Sequence, residues 1–395
     1  MPDTYYNYID GEWVESSSGE TFESVEPADP SRSLGEFQDS NTGDVQEAVA
    51  AAVDAQEDWR ALSRIDRAQY LKDFFIALDE REEELGELVS RECGKEFAEG
   101  KADVVEASHM ARYAFGLARH PTGEVVESEI PAKDSYVHRK PVGVVGSIKP
   151  WNFPIALPLW DIAIALEEGN TMVFKPAEQT PKCGVRIMEI FDEIGLPDGV
   201  LNVVHGDREA VEAVLDHPEV QAVSFVGSSA VAQAIHQRAT ANGKRAQALG
   251  GAKNHMVVMP DADMDQAADA LMGAAYGAAG ERCMAVSVAV PVGEETGDAL
   301  VERLAPRVRS LRVGPYTDPE ADLGPVISRG AKERIEGYID AGRRAGAELV
   351  VDGRSQTLQG YEHGHFLGGS LFDRVTTGMS IYQEEIFGPV LSVVR

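Results

Sequence analysis

The sequence predicts an α/β protein with two parallel-sheet domains, and three observations support that class. Buried strand segments alternate with helical segments from Val142 onward, a rhythm typical of βαβ units. A second alternating series begins at His255 and runs to the end of the chain. The 395 residues are enough for two ordinary domains, and the hydrophobic content of 43% is that of a globular protein.

The N-terminal part of the chain predicts small strands followed by helices. The first 35 residues indicate short strands and turns, with a hairpin at Asp10–Gly11. Helices are expected from Asp44, because Asp44 and Glu47 have the spacing of a capping box. Two long amphipathic helices are then predicted at residues 64–92 and 95–118.

Four strands follow, each leading into a turn and a helix. The predicted strands are Val142–Ile148, Thr171–Phe174, Leu201–Val204 and Ala222–Phe225. Thr180–Pro181 caps and opens one of the helices, since proline suits the first helical position. Residues 389–395 read as a buried strand in which the chain stops. We therefore expect the last domain to be incomplete at Arg395.

The charge balance excludes several classes of partner. Sixty-six acidic residues face 36 basic ones, for a formal net charge of −30, and such a surface repels nucleic acid and anionic lipid. Strong acidity of this kind predicts a halophilic source. The sequence has no long apolar run and no basic, apolar start, so we expect no membrane span and no signal peptide. The three distant cysteines suit a reducing cytoplasm.

The strongest local signal for chemistry surrounds Cys283. This cysteine follows a helix and the small-residue turn in Tyr276–Met284, and Arg282 precedes it. A neighbouring cation favours the thiolate, which is the reactive form. The sequence therefore predicts a nucleophile at Cys283. Cys93 and Cys183 lie in helical stretches, and we expect them to be structural.

Turns at three predicted strand ends carry candidate ligand-binding groups. Asn152, in the turn Lys149–Pro154, offers an amide to an oxyanion. Lys175 and Glu178 follow the second strand and are placed to hold a ribose diol. Phe225–Ser228 opens a helix whose N-terminus suits a pyrophosphate. Because ligands sit at the carboxyl ends of strands in such sheets, the three turns together predict a dinucleotide site, although no G-x-G-x-x-G fingerprint occurs.

These motifs, in this order, resemble those of the aldehyde dehydrogenase superfamily. The resemblance covers essentially the whole chain. It includes the cysteine motif, the Trp151–Pro154 turn, the Lys175/Glu178 pair, the Phe225–Ser228 turn and Glu384–Pro389.

The resemblance implies an aldehyde dehydrogenase-like fold and a set of residue roles. The Rossmann-type NAD-binding domain would comprise residues 1–121 and 142–250, with an oligomerisation hairpin at 122–141 and a second α/β catalytic domain at 251–395. Cys283 would be the nucleophile, with Asn152 as an oxyanion donor. Members of the family form dimers and tetramers, so the resemblance implies that this protein is a homo-oligomer. NAD would be bound by Ile148, Lys149, Trp151, Lys175, Glu178, Gln179, Gly227, Ser228, Gly250, Glu385 and Phe387.

One departure from the family pattern indicates a particular branch. Hydrolytic members carry a glutamate where this chain has Ala248, and the missing glutamate is characteristic of the CoA-acylating methylmalonate-semialdehyde dehydrogenases. The stretches Ala252–His255 and Gly280–Ala285 are similar to that branch as well. The resemblance implies CoA as a co-substrate, and Arg282 as a partner for a substrate carboxylate.

Other positions depart from that branch. Trp151 stands where phenylalanine is usual, and Glu106 stands near the place of a second substrate arginine, with Arg112 close by in the sequence.

Three alternatives remain open on the sequence alone. A hydrolytic aldehyde dehydrogenase would use a glutamate at another position as its base. A non-catalytic relative would have kept the fold without the reaction. The presence of all the candidate site residues argues against that alternative. A metal site at His363–His365 lacks a third ligand, so we expect no metal and a surface loop there.

Overall fold

The computed structural model describes residues 3–395, which divide into two compact units. Of these residues, the first unit comprises 3–24, 35–85 and 103–250, and the second comprises 25–34, 86–102 and 251–395. The family resemblance predicted that residues 25–34 and 86–102 belong to the first domain. The fold groups them with the second, because local sequence does not show which sheet a segment packs against.

The helices lie in chain order between and after the strands. They are α1 Thr42–Ala61, α2 Arg64–Glu80, α3 Glu82–Cys93, α4 Phe97–Leu117, α5 Ala156–Glu167, α6 Pro181–Glu193, α7 Arg208–Asp216, α8 Ser229–Ala241, α9 Met264–Tyr276, α10 Glu294–Ser310, α11 Arg329–Arg344 and α12 Ser380–Gln383.

The strands are short, as expected for a doubly wound α/β protein. They are β1 Thr4–Tyr5, β2 Asn7–Ile9, β3 Glu12–Val14, β4 Thr21–Glu26, β5 Asp29–Gln38, β6 Gly123–Glu127, β7 Asp134–His138, β8 Val144–Ile148, β9 Thr171–Lys175, β10 Leu201–Val203, β11 Val220–Val226, β12 Arg245–Leu249, β13 Asn254–Val258, β14 Val286–Pro291, β15 Glu348–Val351, β16 Ser370–Asp373 and β17 Val390–Val393.

The main sheet of the first unit has seven strands in the order β12-β11-β8-β9-β10-β2-β3. Strands β8 to β12 are parallel, and the hairpin β2–β3 adds two antiparallel strands at one edge. The chain passes from β8 to β9 and β10 on one side, and then to β11 on the other side of β8. This reversal is a topological switch point, where the carboxyl ends of parallel strands form a ligand crevice.

Helix boundaries in the N-terminal region differ from the sequence predictions in two places. The capping box of α1 pairs Asn41 with Asp44, whose carboxylate accepts from the Asn41 N–H at 2.9 Å, and not Asp44 with Glu47. The predicted helix at 64–92 is two helices, because the chain leaves helical geometry at Arg81. The hydrophobic periodicity of the sequence continues across Arg81, so the pattern does not show where α2 ends and α3 begins.

The sheet of the second unit has five strands in the order β13-β14-β17-β16-β15. Only β15 runs antiparallel to its neighbour. The last strand, β17, lies in the centre and pairs with β14 on one side and β16 on the other. Both of these partners precede β17 in the chain, and the incompleteness of the last domain at Arg395 stays a prediction.

Each unit has its own apolar core. In the first, α1, α7 and α8 pack side chains such as Val45, Val214 and Ile235 against the sheet. In the second, α9 and α10 pack side chains such as Leu271 and Leu304 against theirs. Burial of the apolar face of each helix against its sheet holds the strands in place. The turns at the strand ends are therefore held in place as well.

A two-stranded antiparallel hairpin, β6–β7, occupies the middle of the predicted segment 122–141. Both strands are exposed along their whole length, including Val125 at 67% and Tyr136 at 63%. Among residues 3–395, no helix is long and apolar enough to cross a membrane.

Candidate functional site

A cleft of about 770 Å³ opens at the switch point of the first unit. Its size is within the range of ligand pockets in enzymes. The carboxyl ends of β8, β9 and β11 contribute to its walls, together with α7 and α8. The predicted cofactor residues that line it are Ile148, Lys149, Trp151, Lys175, Glu178, Gln179, Gly227 and Ser228.

Lys149 is a buried cation at the end of β8. Its ammonium group lies 2.7 Å from a carboxylate oxygen of Asp161 and donates to the Ser224 hydroxyl at 2.7 Å. Asp161 lies on α5 and Ser224 on β11, so the lysine ties the helix to the sheet beside the switch point. Its charge is compensated within the protein, and it borders the cleft as part of a fixed wall.

Lys175 and Glu178 form an ion pair at the end of β9. The Lys175 ammonium donates to the Glu178 carboxylate at 2.7 Å and to the Gly206 carbonyl at 2.7 Å. The lysine side chain is 4% exposed, whereas that of Glu178 is 35% exposed. The carboxylate is thus the accessible member of the pair, and it can accept hydrogen bonds from hydroxyl groups of a ligand.

The N-terminus of α8 forms another side of the cleft. Ser228 is its N-cap, and the first turn carries no acidic residue, which suits an anion. The Gly227 N–H donates to the Leu249 carbonyl at 3.0 Å, and a Cβ at Gly227 would lie 2.5 Å from the Phe225 ring. A Cβ at Gly250 would lie 3.2 Å from the Cα of Ser229, so the absent side chain keeps this helix end open.

These features fit a dinucleotide such as NAD. A helix N-terminus suits the pyrophosphate, an accessible carboxylate suits a ribose diol, and the glycines leave room for close approach. Val211, Val231 and Ile235 give the far side of the cleft an apolar surface between α7 and α8.

The loop before Cys283 has an unusual backbone. Ala278 and Ala279 have φ angles of 49° and 52°, and both are buried. Gly280 also has positive φ, and a Cβ there would lie 2.2 Å from the Gly388 carbonyl oxygen. Consecutive left-handed residues are costly for L-amino acids and cluster at functional sites. The loop is thereby packed directly against the segment that contains Glu385 and Phe387.

Cys283 is half-buried, and its surroundings raise the pKa of its thiol. Burial raises the pKa of the Cys283 thiol, and the Glu385 carboxylate adds to the effect. Two other influences lower this pKa: hydrogen bonds from the backbone N–H groups of Cys283 and Met284, and the positive charge of Lys95. Arg282, the cation that the sequence predicts to favour the thiolate, is not among the groups that lower this pKa.

The reason lies in the partner of Arg282. Its guanidinium pairs with the carboxylate of Glu99 and is 19% exposed, and burial lowers its pKa against the attraction of Glu96. The sequence places Arg282 beside Cys283, but the side chain is directed to α4. Arg282 still borders the narrow cavity that Cys283, Glu385 and Phe387 line.

Glu385 and Phe387 lie in a loop between α12 and β17. The Glu385 carboxylate accepts from the Ala252 N–H at 3.0 Å, and Phe387 has a φ of 53°. Arg334 donates to the Ile386 carbonyl at 3.2 Å. The loop is thus fixed by backbone contacts on more than one side.

Several residues near the cysteine were not singled out by the sequence analysis. Lys95 is buried and acts on the Cys283 thiol, and Glu281 is 3% exposed. The Glu281 carboxylate accepts from the Ile327 N–H at 3.1 Å, and burial raises its pKa well above the usual value. No local pattern marks a buried charge, so only the motif's position next to Cys283 could have suggested Glu281.

The remaining predicted positions are placed as follows. Asn152 is buried in the turn that connects β8 to α5, and its role stays a prediction. Cys93 and Cys183 are both buried. Among the described residues 3–395, no group of three His, Cys, Asp or Glu side chains is arranged to hold a metal ion, the His363–His365 turn included.

Comparison with known proteins gives consistent matches over the whole chain. The sequence profile described as "Aldehyde dehydrogenase family" matches residues 13–395. A malonate-semialdehyde dehydrogenase from Pseudomonas aeruginosa is 49% identical over 351 residues, which cover 89% of this chain and 71% of that protein.

Solved structures agree with the sequence matches. A structure described as a methylmalonate-semialdehyde dehydrogenase from Sinorhizobium meliloti 1021, complexed with NAD, has a TM-score of 0.96 and 48% identity, covering 100% of this chain and 80% of that one. The methylmalonate-semialdehyde dehydrogenase of Oceanimonas doudoroffii has a TM-score of 0.96 and 44% identity over the same shares.

Proposed function

The chain belongs to the aldehyde dehydrogenase family, and we propose that it oxidises malonate or methylmalonate semialdehyde with NAD and CoA through a thioester on Cys283. The similarity to proteins named for these semialdehydes, at 44–49% identity, supports the substrate class. The products are acetyl-CoA or propionyl-CoA, CO₂ and NADH.

The proposed first half-reaction uses Cys283 as a nucleophile. Its thiolate attacks the aldehyde carbon, and the resulting oxyanion is held by the Cys283 backbone N–H and the Asn152 amide. Bound NAD would supply the acceptor for the hydride that leaves this adduct, and the product on Cys283 would be a thioester. Because the thiol of Cys283 has a raised pKa, its proton passes to solvent when the thiolate forms, and Cys283 regains a proton after CoA displaces the acyl group.

The cleft of the first unit is proposed to hold the adenosine half of NAD. Glu178 would accept from the ribose hydroxyls, with Lys175 fixing the carboxylate. The α8 N-terminus at Ser228 would hold the pyrophosphate. Glu385 would accept from the nicotinamide ribose, with Phe387 beside it.

Arg282 is the proposed partner of the substrate carboxylate. Its cation borders the cavity beside Cys283, where it also meets Glu99. Loss of that carboxylate as CO₂ leaves an acyl group with one carbon fewer, and the proton released from the CoA thiol balances the carbanion that results.

Ala248 is the observation that supports CoA, and not water, as the acyl acceptor. It lies in β12, two residues before Gly250. A methyl group cannot take a proton from water, and loss of a general base typically costs about 10²–10⁴-fold in rate. The CoA thiol needs less help, since a thiol with a pKa of about 8.5 is already partly ionised near neutral pH.

A burst experiment tests this proposal. Without CoA, the protein should release about one NADH per Cys283 from malonate semialdehyde and then turn over slowly. Added CoA should restore turnover and yield acetyl-CoA. Rapid turnover without CoA, with a free acid as product, would replace the proposal with a hydrolytic aldehyde dehydrogenase.

A further inference from the structure

The dipeptide Ala252–Lys253 contacts the Glu385 loop at three points. The Ala252 N–H donates to the Glu385 carboxylate at 3.0 Å. The Lys253 ammonium donates to the Ile381 carbonyl at 2.8 Å and to the Glu384 carbonyl at 2.7 Å. One short segment therefore holds both the carboxylate of Glu385 and the backbone immediately before it.

Of the two carbonyls that Lys253 binds, one belongs to Ile381 within α12 and the other to Glu384, the residue that ends this helix. This helix has four residues, and Glu384 is its C-cap. The last carbonyls of a helix have no partner within it, and a cation there satisfies them and complements the helix dipole. Such a short helix has little stability of its own, so its end depends on an external donor.

The position of Glu385 follows from this contact. Glu385 comes directly after the carbonyl that Lys253 binds, and its carboxylate direction is set by the next donor, the Ala252 N–H. On the other side of Glu385, Arg334 donates to the Ile386 carbonyl. Movement of the Glu384 carbonyl would therefore turn the carboxylate away from its present direction.

We propose that Lys253 is a positioning residue that sets the Glu385 carboxylate for binding the nicotinamide ribose. The inference rests on the proposed function in one respect, the role of Glu385. Lys253 is not among the residues that line the cavity beside Cys283, and it acts through the backbone of residues 381–385.

The state of Lys253 makes this arrangement sensitive to pH. Burial lowers the pKa of Lys253 to about 8, although the Glu385 and Glu384 carboxylates favour its charged form. The ammonium is therefore fully present below about pH 7 and is lost as the pH rises through 8. A neutral amine is the weaker donor, so the contact with both carbonyls weakens in that range.

Other charged or titratable groups belong to the same surroundings. His255 contacts the Lys253 carbonyl and the Tyr382 hydroxyl, and Tyr338 donates to the Glu384 carboxylate at 2.6 Å. The titratable or charged groups on the elements that surround Lys253 and the Glu385 loop are Glu384, Glu385, His255, Tyr382, Tyr338 and Arg334.

The test compares Lys253→Met, Lys253→Arg and the control Lys332→Met, a lysine of the second unit on α11. Equilibrium binding of NAD is measured from pH 6 to 10 by calorimetry, alongside the KM for NAD and for the aldehyde. At pH 7 we expect Lys253→Met to weaken NAD binding about tenfold, since hydrogen bonds from a charged donor are worth at least that factor. The KM for the aldehyde should change little.

The pH profile separates positioning from general stability. In the unmodified protein, NAD affinity should fall above pH 8. Lys253→Arg should keep the affinity and lose this alkaline fall, because arginine stays charged. Lys253→Met should be weak at every pH, and Lys332→Met should follow the unmodified protein.

Two outcomes distinguish the failure of the inference from that of the proposed function. If Glu385→Gln weakens NAD binding but Lys253→Met does not, the positioning role is refuted. If Glu385→Gln leaves NAD binding unchanged, the proposed role of Glu385 fails instead. A thiol reagent checks that each variant is folded, because a folded variant should leave the buried Cys93 and Cys183 unmodified, whereas an unfolded one exposes both.

Discussion

Glu178→Gln tests the ribose site and should reduce the preference for NAD over NADP. A 2′-phosphate at the Glu178 carboxylate would place two like charges about 4 Å apart, which costs about 4 kcal/mol per unit charge at an effective dielectric constant of about 20. The Lys175 ammonium lies 2.7 Å behind the carboxylate oxygen, so it would attract the same phosphate from roughly 7 Å. That attraction offsets about 2.4 kcal/mol of the repulsion between the phosphate and the Glu178 carboxylate.

The balance of these two interactions sets the expected selectivity. The difference is about 1.6 kcal/mol, and solvent reduces it to about 1–1.5 kcal/mol. The reduction applies because the Glu178 side chain is 35% exposed. We therefore expect the unmodified protein to prefer NAD by about tenfold, since every 1.4 kcal/mol corresponds to a factor of ten.

The assay compares kcat/KM for NAD and NADP in the unmodified protein and in Glu178→Gln. The glutamine removes the repulsion but leaves the Lys175 cation, so the ratio should fall to near parity or favour NADP. Glu189→Gln is the control, because Glu189 pairs with Arg186 on α6, outside the cleft. An unchanged ratio in Glu178→Gln, or an unmodified protein that prefers NADP, would refute the assignment of the ribose site.

Other predictions concern the cysteines and the exposed hairpin. Cys283→Ala should abolish NAD reduction, whereas Cys93→Ala and Cys183→Ala should retain most of it; comparable activity in Cys283→Ala would remove the proposed mechanism. Because burial raises the pKa of Cys283, its alkylation by iodoacetamide should rise about tenfold per pH unit through pH 9, and a plateau near pH 7 would contradict the raised pKa. The hairpin is predicted to join subunits, so replacing its exposed Val125 and Tyr136 by lysine should lower the sedimentation coefficient to that of a smaller species. An unchanged oligomer would place the interface elsewhere.

Much of the fold could be read from the sequence because its signals are local. The alternation of buried strands and helices predicted β8 to β11 and the helices between them, with boundaries that differ from the structure by about two residues. The turns at the strand ends identified residues such as Lys175 and Ser228, which do line one cleft. Parallel strands bring their carboxyl ends to one edge of a sheet, so motifs distant in sequence can be expected at one place.

Features that depend on distant partners could not be read in this way. The sequence marked Arg282 as a cation beside Cys283, but its pairing with Glu99 requires knowledge of where α4 lies. The same holds for β17, which the sequence shows only as a buried strand, whereas its central place between β14 and β16 depends on residues far from it in the chain.

The sequence by itself determined the α/β class, the family resemblance and the candidate nucleophile, because strand and helix periodicity and the Cys283 motif are written in neighbouring residues. Only the tertiary structure decided the direction in which the pKa of Cys283 is shifted and the surroundings of Lys253. Both depend on burial and on charges such as that of Glu385, which lies about a hundred residues or more along the chain. A pKa responds to the local dielectric and to charges within a few ångströms, and folding alone brings those groups together.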